Sequence, residues 1–392
     1  MFIEIHAIQN FAPANLNRDD TGSPKDCEFG GHRRARVSSQ CWKRAVREYF
    51  SQEDLIPEAE RSVRTKQLVG ELAELLTSRH NERTPEESHA VAAAAVEALV
   101  KIDPKSKEKK KTSVLLFVGM DQIEALTSSC HEHWDPLLAE SKKKKKEGVK
   151  EEEETKEPGK KKSALPKDVL NSLRASLQGS RAADLALFGR MIAEDAGLNV
   201  DAACQVAHAL STHRVAPEFD YYTAVEEIGR EDETGAGMVG TQEFNSACFY
   251  RYANIDLQQL ERNLQNDREL ALSAARAFLE SFIMAIPKAK QNSTAAQNLP
   301  SFVMIVVRNK GLASLANAFA RPVDGRKEGL MVNSVEAMAS YWGKLKKMYG
   351  NKGVKSTHYV TTEDVSLAAL DATPVENVQD LLTKAMSDLG GA

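Results

Sequence analysis

Cysteine is scarce in this chain and poorly placed for chemistry. Cys27, Cys41, Cys130, Cys204 and Cys248 are odd in number, widely spread and include no CxxC pair, so free, reduced thiols are expected rather than a disulfide framework or a redox centre. Cys130-His131-Glu132-His133 offers metal-ligand types, but no second cluster completes a site, and these read as surface helix residues. No cofactor or metal is called for. No run approaches the eighteen apolar residues of a membrane span. The opening Met1-Phe2-Ile3-Glu4-Ile5-His6 lacks the basic and apolar regions of a secretory signal, so the reading is a soluble, cytoplasmic protein with no membrane partner. Neither a Walker pattern nor GxGxxG follows Gly30-Gly31, which argues against an enzyme of phosphorylated metabolites. No acid and base are paired at a catalytic spacing.

What is present is positive charge, and it is local. The formal net charge is -4, yet Arg33, Arg34, Arg36, Lys43, Arg44 and Arg47 fall within one run that contains no Asp or Glu. Ser38 and Ser39 are good N-cap residues. Beyond them Trp42, Ala45, Val46, Tyr49 and Phe50 recur at the spacing of one buried helical stripe. Gln40, Lys43, Arg44 and Arg47 then lie on the opposite side. Helix N-terminal amides, serine hydroxyls and cations together favour an anion, and Gly30-Gly31 upstream permits positive φ or close backbone approach. A second charged stretch, Ser141 to Lys162, has ten Lys, six Glu and a single apolar residue, Val149, and is expected to be a disordered loop. Its net +4 leaves -8 for the remainder. An acidic body with one basic track implies an oriented polyanion as partner.

Patterning along the chain suggests a strand at Phe2 to Ile8 and helices over about Glu58 to Leu76 and Pro85 to Val100. A strand at Val114 to Val118 is followed by a helix starting at Asp121. Leu185 to Met191 reads as a strand, and Val200 to Leu210 as a helix capped by Asn199. The acidic, glycine-rich Pro217 to Gly240 reads as a mobile segment. Phe249 to Ile255 and Phe302 to Arg308 read as strands, Leu260 to Met284 as one long helix, and a helix follows Val335. Strands separated by helices without regular βαβ repeats indicate an α+β fold with helices on one face of a sheet.

Particular residues go further. Leu16-Asn17-Arg18-Asp19-Asp20, Lys25-Asp26, Phe29-Gly30-Gly31, Arg33-Arg34, Ser38-Ser39-Gln40 and Lys43-Arg44-Ala45 resemble the N-terminus of the CasC-type backbone subunit (the Cas-seven family) of the type I-E CRISPR complex Cascade. The resemblance continues in Ala186-Leu187-Phe188-Gly189-Arg190-Met191, in Asn199 to Ala209, in Thr212-His213-Arg214-Val215 and in Phe249-Tyr250-Arg251-Tyr252. It is weakest over 101–162 and in the last forty or so residues.

The resemblance implies a modified ferredoxin-like or RNA-recognition-motif palm, with a helical fingers insertion and a β-hairpin thumb. On it the palm takes residues 1–54, 181–212 and 244–392, the fingers 55–180 including the charged loop 141–162, and the thumb 213–243. It implies a non-catalytic subunit that stacks in several copies, six being expected, along CRISPR RNA. The guide is thereby presented to target DNA in antiviral defence, beside large, small, Cas-five-type and Cas-six-type partner subunits. By match of motif, Arg18, Lys25, Ser38, Gln40, Lys43 and Arg47 are the expected RNA contacts, with Arg33 and Arg34 as further candidates and Asp19, Asp20 and Asp26 as internal ion-pair partners. Met191 and Met238 are candidate wedges against splayed bases, although core packing is the stronger reading for Met191. Tyr250 and Tyr252 are weaker candidates for base stacking, and Lys288 and Lys290 for nucleic-acid contact. The alternative is an RNA endonuclease of the same superfamily that uses Asp26 with a metal ion, or His6, His32 or His213 as general base.

Overall fold

The computed structural model describes residues 1–79, 82–106, 110–148, 165–193, 195–225 and 236–390. The strands are β1 (Phe2–Ala14), β2 (Asp26–Phe29), β3 (His32–Val37), β4 (Ser62–Thr65), β5 (Leu116–Gly119), β6 (Cys204–Val206), β7 (Ala209–Ser211), β8 (Glu218–Val225), β9 (Ala236–Asp256), β10 (Phe302–Arg308), β11 (Val354–Thr361) and β12 (Thr373–Pro374). The helices are α1 (Ser39–Gln52), α2 (Leu68–Arg79), α3 (Pro85–Leu99), α4 (Met120–Glu132), α5 (Trp134–Gly148), α6 (Lys167–Leu177), α7 (Ala183–Phe188), α8 (Leu257–Asn263), α9 (Arg268–Met284), α10 (Gln291–Thr294), α11 (Leu330–Tyr349) and α12 (Val378–Asp388). The fold is α+β, and the chain divides into two compact units.

The first unit comprises Met1–Leu55, Cys204–Leu257 and Ala275–Ala392 and holds a sheet of order β12-β11-β10-β1-β9-β7-β3-β2, with β6 and β8 also paired to β9. Its centre is β1 between β10 and β9, antiparallel to both, with Ile5 opposite Ile305 on one side and Ala253 on the other. Ile3 to Ile8 and Phe302 to Arg308 are buried on both faces; Phe302 to Val307 is accordingly an unbroken apolar run, whereas Ile3 to Ile8 carries the buried Glu4 and His6. Ile8, Met304 and Val306 pack with Met338 and Trp342 of α11. Phe11, Phe249 and Val37 pack with Trp42 of α1.

The second unit, Ile56–Ala203 with Gln258–Ala274, is built around Leu72, Val91, Val96, Leu126, Leu137 and Leu173, donated by α2 to α6. Thr84 caps α3 by accepting from the Glu87 N–H at 3.2 Å, with Pro85 at the first helical position.

Several expectations need correction. Glu58 to Leu76 is not one helix: a 3₁₀ turn, β4 and then α2 occupy it, because Val63 and Thr65 pair with β5. Leu185 to Met191 is mostly helical. Val200 to Leu210 contributes β6 and β7, whose hydrogen bonds to β9 override the helical propensity of its alanines. The 257–284 segment is two helices, broken where Gln265 and Asn266 take positive φ.

Residues 218–225 form a strand. They pair antiparallel with β9, Glu218 opposite Phe244 and Ala224 opposite Met238, and 226–235 lie outside the described residues. Residues 141–148 extend α5, which Trp134 and Leu137 anchor in the core, and 149–162 of the expected disordered loop lie outside the described residues. Residues 181–203, expected with the palm, fall in the helical unit. There the buried Arg190 donates to the carbonyls of Leu177 (2.8 Å) and Leu198 (2.9 Å) and to Gln122 Oε1 (2.9 Å). After Val335 the chain adds β11, β12 and α12, so the segment beyond the last expected helix is also ordered structure.

Candidate nucleic-acid interface

Gly30 and Gly31 form the turn of the β2–β3 hairpin, with φ of 64° and 75°. A Cβ on Gly30 would collide with the carbonyl oxygen of Ala320. The close approach expected of this pair is therefore to the protein's own backbone. From the hairpin β3 runs directly into α1, whose N-cap Ser38 accepts from the Cys41 N–H at 3.4 Å. Trp42, Ala45, Val46 and Phe50 are buried as expected, and Tyr49 is partly covered. Arg251 locks the helix from beneath, its guanidinium 3.6 Å from the Trp42 ring centroid and 4.3 Å from that of Phe282. Burial lowers the Arg251 pKa to about 9.

The loop before the hairpin is ordered by short polar side chains. Asp19 Oδ1 accepts from the Thr21 N–H (2.9 Å), the Thr21 hydroxyl (2.8 Å) and the Ser23 N–H (3.0 Å). These bonds, the Thr21 hydroxyl foremost, lower the Asp19 pKa. Asn17 Oδ1 accepts from the Ser38 N–H at 2.9 Å, tying the loop to the helix start. Loop, helix and the Pro287-Lys288-Ala289 turn enclose a groove of about 1060 Å³. Its walls carry Arg18, Lys25, Arg44 and Lys288 against Asp19, Asp20 and Glu48, with Ser38 and Gln40 at the helix start. Four cations face three carboxylates, and Glu48 holds both Arg44 (2.7 Å) and Lys288 (3.2 Å). The groove suits an anion, though its field is weaker than the run of cations in the sequence suggests.

Arg18, Lys25, Ser38 and Gln40 are thus brought together. Lys43 and Arg47 are not on the groove wall; they lie on the adjoining helix face, half-buried, and Lys43 is close enough to Cys204 to act on its thiol electrostatically. Arg33 is paired with Asp26. Arg34 is not available to a ligand. It is 0% exposed, and it donates to Phe29 O, Ser211 O (3.1 Å), Phe319 O (2.8 Å) and Ala320 O. Arg36 is half-buried and bonded to His208 and Asp26 O. Lys288, one of the weaker candidates in the sequence, joins the groove, whereas Lys290 is not among its lining residues.

Met191 is 85% exposed on the helical unit, beside a small cavity bordered by Arg64, Leu115 and Phe117, so it does not pack in the core. Met238 is 55% exposed on the β8–β9 hairpin. Tyr250 and Tyr252 are buried, not stacking platforms: the Tyr250 hydroxyl accepts from the Leu315 N–H (2.8 Å), and Tyr252 donates to Glu4 Oε1 (2.8 Å). Among the catalytic candidates, burial lowers the His6 pKa to about 3, and His213 Nε2 accepts from the Cys248 N–H. Among the described residues no group of three His, Cys, Asp or Glu is arranged to hold a metal ion, and no helix is long and apolar enough to cross a membrane.

A family model described as CT1975-like protein matches residues 3–386. A solved chain described as "CRISPR RNA-guided surveillance complex, pre-nicking" is similar at a TM-score of 0.82 and 33% identity, covering 99% of both chains. Another, from a "CRISPR RNA-guided surveillance complex", gives 0.73 and 29%, again covering 99% of both. No curated protein matches.

Proposed function

The chain belongs to the CT1975-like protein family, and from that premise we propose that it is the non-catalytic, RNA-binding backbone subunit of a type I-E Cascade complex. Several copies, six in this reading, stack along CRISPR RNA in the cytoplasm and present the guide for pairing with invading target DNA. Large, small, Cas-five-type and Cas-six-type subunits complete the particle. Guide phosphates lie in the groove on Arg18, Lys25, Ser38 and Gln40, with Lys43 and Arg47 extending the contact along α1. Met191 and Met238 rest against bases. Contacts of this kind hold a strand without reading its sequence, as every guide requires. Support comes chiefly from end-to-end similarity to surveillance-complex chains, together with a cationic groove at a helix start.

The test is co-expression with a CRISPR RNA. The unaltered chain should purify with RNA of one length. The Arg18→Ala/Lys25→Ala double variant should lose at least about tenfold in RNA affinity for every guide, with the log–log salt slope reduced by about 1.4 for two lost phosphate contacts. Unchanged binding, or a loss confined to one guide sequence, would sink the reading.

A further inference from the structure

Residues 337–362 contain Lys344, Lys346, Lys347, Lys352 and Lys355 and no Asp or Glu. The fold adds Lys310. β10 and β11 pair as far as Arg308 opposite Val354, and the Asn309 N–H donates to Gly353 O at 2.8 Å, so the ends of the two strands bring Lys310 and Lys352 to one rim. Between this rim and α11 is a cavity of about 550 Å³. Tyr341, Trp342, Leu345 and Tyr349 form its aromatic and apolar wall, Lys310, Lys346 and Lys352 its cationic edge, and none of its lining residues is acidic. Lys346 is bonded to Asp371 (2.6 Å), whereas among the described residues Lys310 and Lys352 enter no ion pair. Tyr349 is 72% exposed and Met348 beside it 74%.

We infer that this cavity binds a nucleotide of a single-stranded nucleic acid, a strand other than the one in the α1 groove, with phosphate on Lys310 and Lys352 and a base against Tyr349. The cavity lies within the usual size range of small-ligand sites. Lysine binds phosphate as a point charge, and an aromatic face accepts any base, so the pairing is sequence-tolerant. An acidic peptide would satisfy the lysines but leave the tyrosine without a flat partner. The proposal rests on the guide-strand reading in one respect, that a different strand occupies the α1 groove.

The test uses the full chain purified with its RNA and titrated with fluorescein-labelled oligothymidylate at several KCl concentrations. Lys310→Ala/Lys352→Ala should weaken binding about tenfold and lower the salt slope by about 1.4. Tyr349→Ala should weaken it by a similar factor at unchanged slope. Both should keep the co-purifying RNA and the thermal midpoint of the parent. Unaltered affinity and slope in the double lysine variant would overturn the inference. So would binding abolished by Arg18→Ala/Lys25→Ala alone, which would put the labelled strand in the α1 groove. Loss of self-association with oligothymidylate binding intact would mark the cavity as a protein-docking face and equally refute it.

Discussion

In the run from Asn15 to Phe50 most cations are arginines and several are engaged by the protein itself; from Ala337 to Thr362 every Lys or Arg is a lysine, and Lys344, Lys347 and Lys352 enter no ion pair among the described residues. The first run loses Arg34 to backbone carbonyls, Arg33 to Asp26 and Arg36 to His208, and it shares Arg44 with Glu48. The chemistry of the two side chains explains the difference. A guanidinium is planar, weakly hydrated and carries five donors, so it can be buried against several carbonyls at once. An ammonium is a compact, strongly hydrated charge and stays at the surface. Counting cations in a sequence therefore overstates the charge an arginine-rich run offers a ligand.

The largest effect expected from this contrast is at Arg34. Arg34→Met would leave buried carbonyls of Ser211 and Phe319 without donors and should destabilise the sheet unit by roughly 3–5 kcal/mol, read as a lower urea midpoint. Arg34→Lys should recover only part of this, because a single ammonium cannot reproduce the fork. A loss below about 1 kcal/mol would mean that the guanidinium is not structural, and the distinction between the two runs would fail.

Beneath the lysine cavity the same arginine chemistry recurs. Arg308 is held by the buried Glu4, and nearby His6 is kept neutral by burial, with Arg308 opposing its protonation, so that its pKa falls to about 3. The unfolded chain takes up a proton on this histidine near pH ~6.5 that the folded chain refuses. The associated stability is therefore complete above that pH and lost as pH falls toward 3, at about 1.4 kcal/mol per unit. Unfolding at pH 5 should show a deficit of about 2 kcal/mol relative to pH 7 that His6→Gln removes. An identical pH dependence in the variant would show that His6 is not the group responsible.

The same contrast sets what the sequence could reveal. Ser38, the buried stripe of α1 and the Phe302–Arg308 strand were legible because capping and apolar period are local signals. Arg18, Lys25, Ser38 and Gln40 could be grouped because they flank one helix start, and the structure places all four on one groove. Arg34 could not be separated from its neighbours, since its acceptors lie at 211, 319 and 320, far along the chain. Val200 to Leu210 reads as a helix for a related reason: its strand state depends on hydrogen bonds to β9. The lysine cavity has no local signature in the sequence, because Lys310 and Lys352 meet only through the pairing of β10 with β11.

Glu48 offers a way to sharpen the comparison. Its carboxylate restrains Arg44 and Lys288 and cancels part of the groove's field. Glu48→Gln should release both cations, tighten RNA binding about threefold to tenfold at low salt and steepen the salt dependence. Because the pairs are surface-exposed, the cost in stability should stay near 0.5 kcal/mol. Weaker binding would mean that Glu48 positions the cations for RNA, and that pairing within the groove is part of recognition.

The smallest effect belongs to Arg33, and it asks whether exposure or pairing decides availability. Arg33 lies one residue from Arg34 on an extended strand, so its side chain takes the opposite face, more than half exposed and paired with Asp26. If pairing removes a cation from the ligand's reach, Arg33→Gln should change RNA affinity less than twofold and stability by no more than about 0.5 kcal/mol, as for other exposed ion pairs. Asp26→Asn, which frees the arginine, should then strengthen binding where Arg33→Gln does not weaken it. A loss of several-fold with Arg33→Gln would instead show that an exposed guanidinium trades its carboxylate for phosphate when RNA arrives. In that case the boundary between the two runs would lie at burial alone, with Arg34 as the one cation of the first run that the fold withholds entirely.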